Sequence, residues 1–193
     1  RGKGTKPVLH HFSNDFDEAD WITGTILAGH NNGEKFSASK ILMRTMNGGK
    51  QIEASLVEKN IPYIVIGGQS LFGLAHTKDL LAAVRATVNP RDELAWMRYL
   101  TLFQGIGEVT ADRIVEKLLQ CKSVQEARTI VEGGLQERAR EVLAPIVGIS
   151  RNRTRPGEAL HQAVQALKSV FEHNYREDWK KRRPDMDLMI SLA

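Results

Sequence analysis

The sequence holds a single cysteine, Cys121, among 193 residues. That excludes an internal disulfide and any thiolate-rich zinc site, and leaves Cys121 as a buried or half-buried small hydrophobe. No apolar run approaches the ~18–20 residues a membrane-spanning helix needs. Arg1 to His11 also lacks the apolar stretch of a signal peptide, so the expected compartment is the cytoplasm, with no membrane partner. Internal repeats and low-complexity tracts are missing too. So is the phosphate-cradling pattern G-x-x-x-x-G-K-[ST]: Gly48-Gly49-Lys50 has neither the upstream glycine nor the following hydroxyl. An acidic box for magnesium is also lacking, so the chain alone is expected to bind no nucleotide and to be inactive as an ATPase.

What is present is an ordinary globular composition, 41% hydrophobic and 26% charged, which sets aside disordered and fibrous classes. The length allows one or two domains. A formal charge of +4 permits an anionic partner without requiring one. His10 and His11 are adjacent on a strand-like run, would face opposite ways and have no third ligand nearby, so they read as structural rather than metal-binding.

The first third alternates in pattern. Val8 to Phe12 reads as a strand, and Asp17 to Ala28 as a helix with Ala19, Ile22, Ile26 and Leu27 on one face. Lys40 to Arg44 reads as a second strand, Gly49 to Lys59 as a helix with Ile52, Leu56 and Val57 inward, and Tyr63 to Ile66 as a third strand. That order implies a parallel sheet, with ligands expected at the carboxyl ends of its strands: after Phe12, at Arg44-Thr45 and at Gly67-Gly68. From Lys78 helical periods take over, as in Leu80, Leu81 and Val84, or Ile114, Val115 and Leu118. Asn89-Pro90 stops one helix and Asp92-Glu93 starts the next, which places a domain boundary there. Arg151 to Pro156 and Lys180 to Pro184 read as basic breaks, with a helix from Gly157 to His173 between them. Trp21 and Trp96 read as core, and Trp179 as an anchor of a charged segment.

Two motifs carry chemistry. Gln104-Gly105-Ile106-Gly107-Glu108-Val109-Thr110-Ala111, between two helical patterns, resembles the hairpin of helix-hairpin-helix DNA-binding modules. Two glycines around Ile106 allow a tight turn with the isoleucine plugged into the core, while free N–H groups at the next helix start face outward. Such an end holds phosphate without reading sequence. A plain helix–helix turn is the bland alternative. The second motif is Ile41-Leu42-Met43-Arg44-Thr45, an arginine at a strand end able to reach a phosphate; an ordinary surface arginine is the alternative.

Read in order, Ile41 to Thr45, Ile52-Glu53, Leu56, Asn60 to Tyr63, Gly67-Gly68, Phe72, Lys78 to Leu81 and Asn89-Pro90 resemble the UvrD/Rep/PcrA helicases of superfamily one. The resemblance is clear over residues 35 to 120 and looser beyond. It implies an α/β plus all-α chain: residues 1–90 as part of a second RecA-like motor domain with a partial parallel sheet, and 91–193 as a helical accessory domain with a duplex-binding hairpin. It implies that Arg44 is the arginine of helicase motif IV, directed at the γ-phosphate of ATP. It also implies that Gly105, Ile106, Gly107 and Thr110 form the duplex-contacting hairpin. The family's usual tyrosine before the arginine is Met43 here, whose thioether would cover the adenine instead. The family's Asn and Gln of this motif are replaced by Met46 and Gly48, and its later basic residue by Leu74.

The full-length enzyme would then use ATP and Mg2+, act on single-strand/duplex DNA junctions in DNA repair, and pair this segment with the remaining motor domain of the same polypeptide. The sequence is accordingly expected to be a piece of that enzyme. A stand-alone DNA-binding module of a repair or recombination protein, or a helical domain docking a regulatory protein, are the competing readings.

Overall fold

The computed structural model describes residues 4–150 and 155–193. The chain divides into two compact units, Arg1–Ser70 and Leu71–Ala193, and the described residues are all-helical. The expected parallel sheet is not formed. Residues 7–12, 39–43 and 61–66 have no regular secondary structure, and none pairs with another as a strand. Val8, Leu9, Leu42, Ile64 and Ile66 are 77–92% exposed. Local pattern can favour an extended backbone, but a strand exists only where a neighbour supplies the facing N–H and C=O groups. Among the described residues no segment does so. The expected RecA-like sheet fragment, with ligand positions at its strand ends, is thereby corrected to an all-helical fold.

In the first unit α1 (Asp15–Asn31) packs on α2 (Met46–Glu58). Asn14 caps α1 by accepting from the Asp17 N–H at 2.9 Å, with Asp15, Asp17 and Glu18 complementing the positive helix end. Ala19, Ile52, Leu56 and Ile61 are buried, with Ile22, Ile26 and Leu27 against them. Helical spacing marks all of these except Ile61. A polar seam joins the two helices: the Thr23 and Ser55 hydroxyls lie 2.9 Å apart, and Lys59 Nζ donates to Thr23 Oγ1 at 2.8 Å and to Asp20 at 2.6 Å. Asn60 ends α2 in the left-handed region, φ 54°, and the Ile61 N–H returns to the Leu56 carbonyl at 2.8 Å. Glu53, though buried, accepts from Tyr63 Oη at 2.7 Å and from Ser70. Trp21 is not core: it is 42% exposed and lies against His10, with ring centroids 4.2 Å apart.

The second unit holds α3 (Ala75–Val88), α4 (Glu93–Leu100), α5 (Glu108–Leu118), α6 (Val124–Leu135), α7 (Ala139–Ser150), α8 (Pro156–Ala166), α9 (Lys168–Asn174) and α10 (Trp179–Ser191). The stop at Asn89-Pro90 separates α3 from α4 inside this unit. α3 packs on α4, α7, α8 and α10, which explains why Leu80, Ala83 and Ala86 are almost fully buried. Trp96 is core, and Trp179 stacks on Phe171 at 5.9 Å. Cys121 is buried. The helix expected from Gly157 to His173 is broken at Leu167, and the break expected at Lys180 to Pro184 lies within α10. Pro184 is the sixth residue of α10, where its missing N–H leaves the carbonyl of exposed Lys180 without its helix partner. The break expected at Arg151 to Pro156 lies largely outside the described residues.

Two polar clusters fasten this unit. Arg182 can only donate, so His76 Nδ1, 3.0 Å away, accepts; Nε2–H then donates to buried Asp185 at 2.9 Å. Buried Asp79 accepts from Arg98 Nε at 2.6 Å and from Tyr175. Arg182 also lies 4.5 Å over the Tyr175 ring.

Two predictions follow from the tyrosines. Tyr99 Oη donates to the Val142 carbonyl at 2.5 Å in the core; Tyr99→Phe should cost about 1–2 kcal/mol in denaturant unfolding, and a cost below about 0.5 kcal/mol would show the bond to be dispensable. All three tyrosines, Tyr63, Tyr99 and Tyr175, have raised pKa values. Burial is the first cause in each, joined by the Glu53 carboxylate at Tyr63, pushed up to about 12, and by Asp79 at Tyr175. The stability they contribute is complete below the unfolded value near 10 and is lost as pH rises through the folded values. Phenolate absorbance should therefore stay flat past pH ~10 until the chain unfolds; a tyrosine titrating near 10 would contradict this arrangement.

Candidate nucleic-acid interface

The hairpin is built by the turn between α4 and α5. Asp92 caps α4 by accepting from the Ala95 N–H at 3.0 Å, and Trp96, Tyr99 and Leu100 bury its inner face. The turn then reverses at Gly105, whose φ of +78° lies in the left-handed region, where a side chain is strained. Ile106 is 5% exposed and belongs to the core that α3 to α10 form. Its N–H bonds the Phe103 carbonyl at 3.1 Å.

Gly107 opens α5 with an extended backbone and no side-chain cap. The N–H groups of Thr110 and Ala111 both reach the Gly107 carbonyl, at 3.1 and 3.0 Å. Those of Glu108 and Val109 lie in the first turn, where a helix supplies no acceptor of its own. Gly105, Gly107, Glu108, Val109 and Thr110 are exposed. On the opposite face Ala111, Ile114, Val115 and Leu118 are buried at helical spacing. Exposed Gly105 and Gly107 thus flank a buried Ile106 at the start of α5. The exposed face of α5 carries both signs, with Glu108, Asp112 and Glu116 beside Arg113 and Lys117, so side-chain charge alone does not make it attractive to an anion.

Arg44 and Met43 lie in the other unit, in the irregular segment just before α2, with Arg44 at a bend. Arg44 is exposed, two residues ahead of Met46, and Met43 is 43% exposed. Thr45 is the residue before the helix and makes no side-chain cap. Nothing among the described residues pairs with the Arg44 guanidinium. Among the described residues no group of three or more His, Cys, Asp or Glu side chains could hold a metal ion, and none of their helices is long and apolar enough to cross a membrane.

Sequence reasoning missed the residues that hold the turn. Arg138, in the short 3-10 turn Gln136–Arg138, donates Nη2 to the Gln104 carbonyl. Asn174, ending α9, donates to the Leu102 carbonyl at 2.8 Å. Neither belongs to a local motif, because they meet the turn 34 and 72 residues away in sequence.

The UvrD-like helicase C-terminal domain family matches residues 1–130, and the chain belongs to that family. The ATP-dependent DNA helicase PcrA of Staphylococcus epidermidis is 30% identical over 118 residues, 61% of this chain and 16% of the relative. PcrA of Staphylococcus aureus is 27% identical over the same length. The chain therefore spans about a sixth of the length of these relatives.

The two hairpin glycines separate cleanly by substitution. Gly105→Ala forces a side chain into the left-handed region and should cost about 1–2 kcal/mol. Gly107, at φ −82° with nothing within 4 Å of an added Cβ, should accept alanine almost without cost. Equal unfolding midpoints for the two variants would contradict the described turn.

Proposed function

We propose that this chain is the part of an ATP-dependent DNA helicase that senses nucleotide through Arg44 and grips duplex DNA through the Gly105–Thr110 hairpin. Membership of the UvrD-like helicase C-terminal domain family and the similarity to proteins named ATP-dependent DNA helicase support the class. The observation that carries the DNA-binding half is the buried Ile106 between exposed Gly105 and Gly107. That plug turns the uncapped start of α5, with the Glu108 and Val109 N–H groups, toward solvent. Backbone donors at a helix start contact a phosphate oxygen regardless of base sequence, which suits an enzyme that must grip any duplex. Thr110, exposed in the first turn, adds a hydroxyl.

Arg44 supports the other half. Exposed and without an ion-pair partner among the described residues, its guanidinium is available to a phosphate oxygen. ATP with Mg2+, held by the motor domains of the whole enzyme, would supply the phosphoryl transfer. Arg44 would stabilise the negative charge that spreads over the transferred group, with Met43 covering the base.

Labelled duplex titrated into the chain at two salt concentrations tests the hairpin. Weak binding should fall with salt at a log–log slope of about −0.9 per phosphate contact, and Gly107→Asp should abolish it by placing a carboxylate at the helix start. Absent binding, or binding indifferent to the substitution, would reduce the hairpin to a helix–helix turn. In the ATPase-competent enzyme, Arg44→Ala should lower turnover by roughly 10³-fold or more with ATP affinity nearly unchanged; unaltered turnover would leave Arg44 an ordinary surface residue.

A further inference from the structure

The exposed face of α5 carries three acidic and two basic side chains, so duplex binding at the hairpin must depend on how well the backbone donors are placed rather than on local net charge. Their placement depends on the loop that precedes them. That loop is held at Ile106 by burial, and two of its carbonyls are held by residues remote in sequence. Asn174 takes the Leu102 carbonyl at 2.8 Å, and Arg138 takes that of Gln104. The second contact is fitted to the turn: a Cβ built on Gly105 would stand 2.5 Å from Arg138 Nη1. The bare glycine therefore leaves the guanidinium room against the loop. Arg138 is otherwise loosely engaged, 41% exposed and 3.7 Å from Glu141, a distance and exposure at which an ion pair contributes little. Tyr99 Oη on the Val142 carbonyl joins α4, the helix leading into the loop, to α7, the helix that follows Arg138.

We propose that Arg138 is a positioning residue of the duplex-binding hairpin, bracing the loop through the Gln104 carbonyl so that the start of α5 meets phosphate already ordered. It lies beyond residues 1–130 that the family matches, so the brace is supplied by the helices that follow the matched span. The inference rests on the hairpin reading above for its DNA arm, but not for its structural arm. An ordered loop binds more tightly than a mobile one because the ordering cost has already been met in the free protein.

The test uses the 193-residue chain with Arg138→Ala and Arg138→Lys, measuring hydrogen exchange of the Ile106 amide without DNA and then duplex affinity. Arg138→Ala should speed that exchange by roughly tenfold and weaken duplex binding about tenfold, with the thermal midpoint nearly unchanged because the residue is half exposed. Arg138→Lys, which keeps a donor of similar reach, should recover much of both. Unchanged exchange in Arg138→Ala overturns the brace, whatever happens to affinity. Faster exchange in a chain whose wild type binds no duplex supports the brace and overturns the DNA-binding reading, so the two fail separately.

Discussion

Burial of Ile106 is the constraint on which the candidate interface depends. Removing a side chain of that size from water stabilises a fold by about 1.5–3 kcal/mol, and here it does so in the middle of a turn whose neighbours stay exposed. With Ile106 inside, the chain has to reverse at Gly105 and restart at Gly107. The first turn of α5 is then left facing solvent without a cap. A polar side chain at 106 would free the loop and lose the orientation of the donors, even if both helices survived.

The clusters around His76 and Asp79 extend that constraint to the far end of the chain. His76 and Asp185 join α3 to α10, and Asp79 gathers Arg98 from α4 and Tyr175 from the end of α9. Tyr175 adjoins Asn174, which holds the Leu102 carbonyl. Buried carboxylates need partners of this kind, since a lone charge away from water is strongly unfavourable. Satisfying them carries the last helices against the helix that leads into the hairpin. Packing, polar satisfaction and loop geometry therefore depend on one another.

Helices of the second unit were legible because their signal is local. Ile114, Val115 and Leu118, or Val142, Leu143 and Ile146, repeat at helical spacing and are buried. The hairpin was legible for the same reason, its glycines and isoleucine being consecutive. Strands were misread because Val8, Leu42, Ile64 and Ile66 mark only a backbone preference, while pairing needs a partner that local sequence does not name. The 180–184 segment was misread because an interior proline disfavours a helix without forbidding it, and α10 continues through it. The braces were invisible: Arg138 and Asn174 look like ordinary polar surface until folding brings them to carbonyls 34 and 72 residues away.

The most direct measurement follows backbone amide resonances of the labelled chain as a short DNA duplex is added. The account predicts that the largest shifts fall on Gly107, Glu108 and Val109, with the amides of α10 little changed. Shifts centred instead on the groove between α6 and α7, lined by Glu132, Arg140, Leu143 and Val147, or no shifts at all, would contradict it.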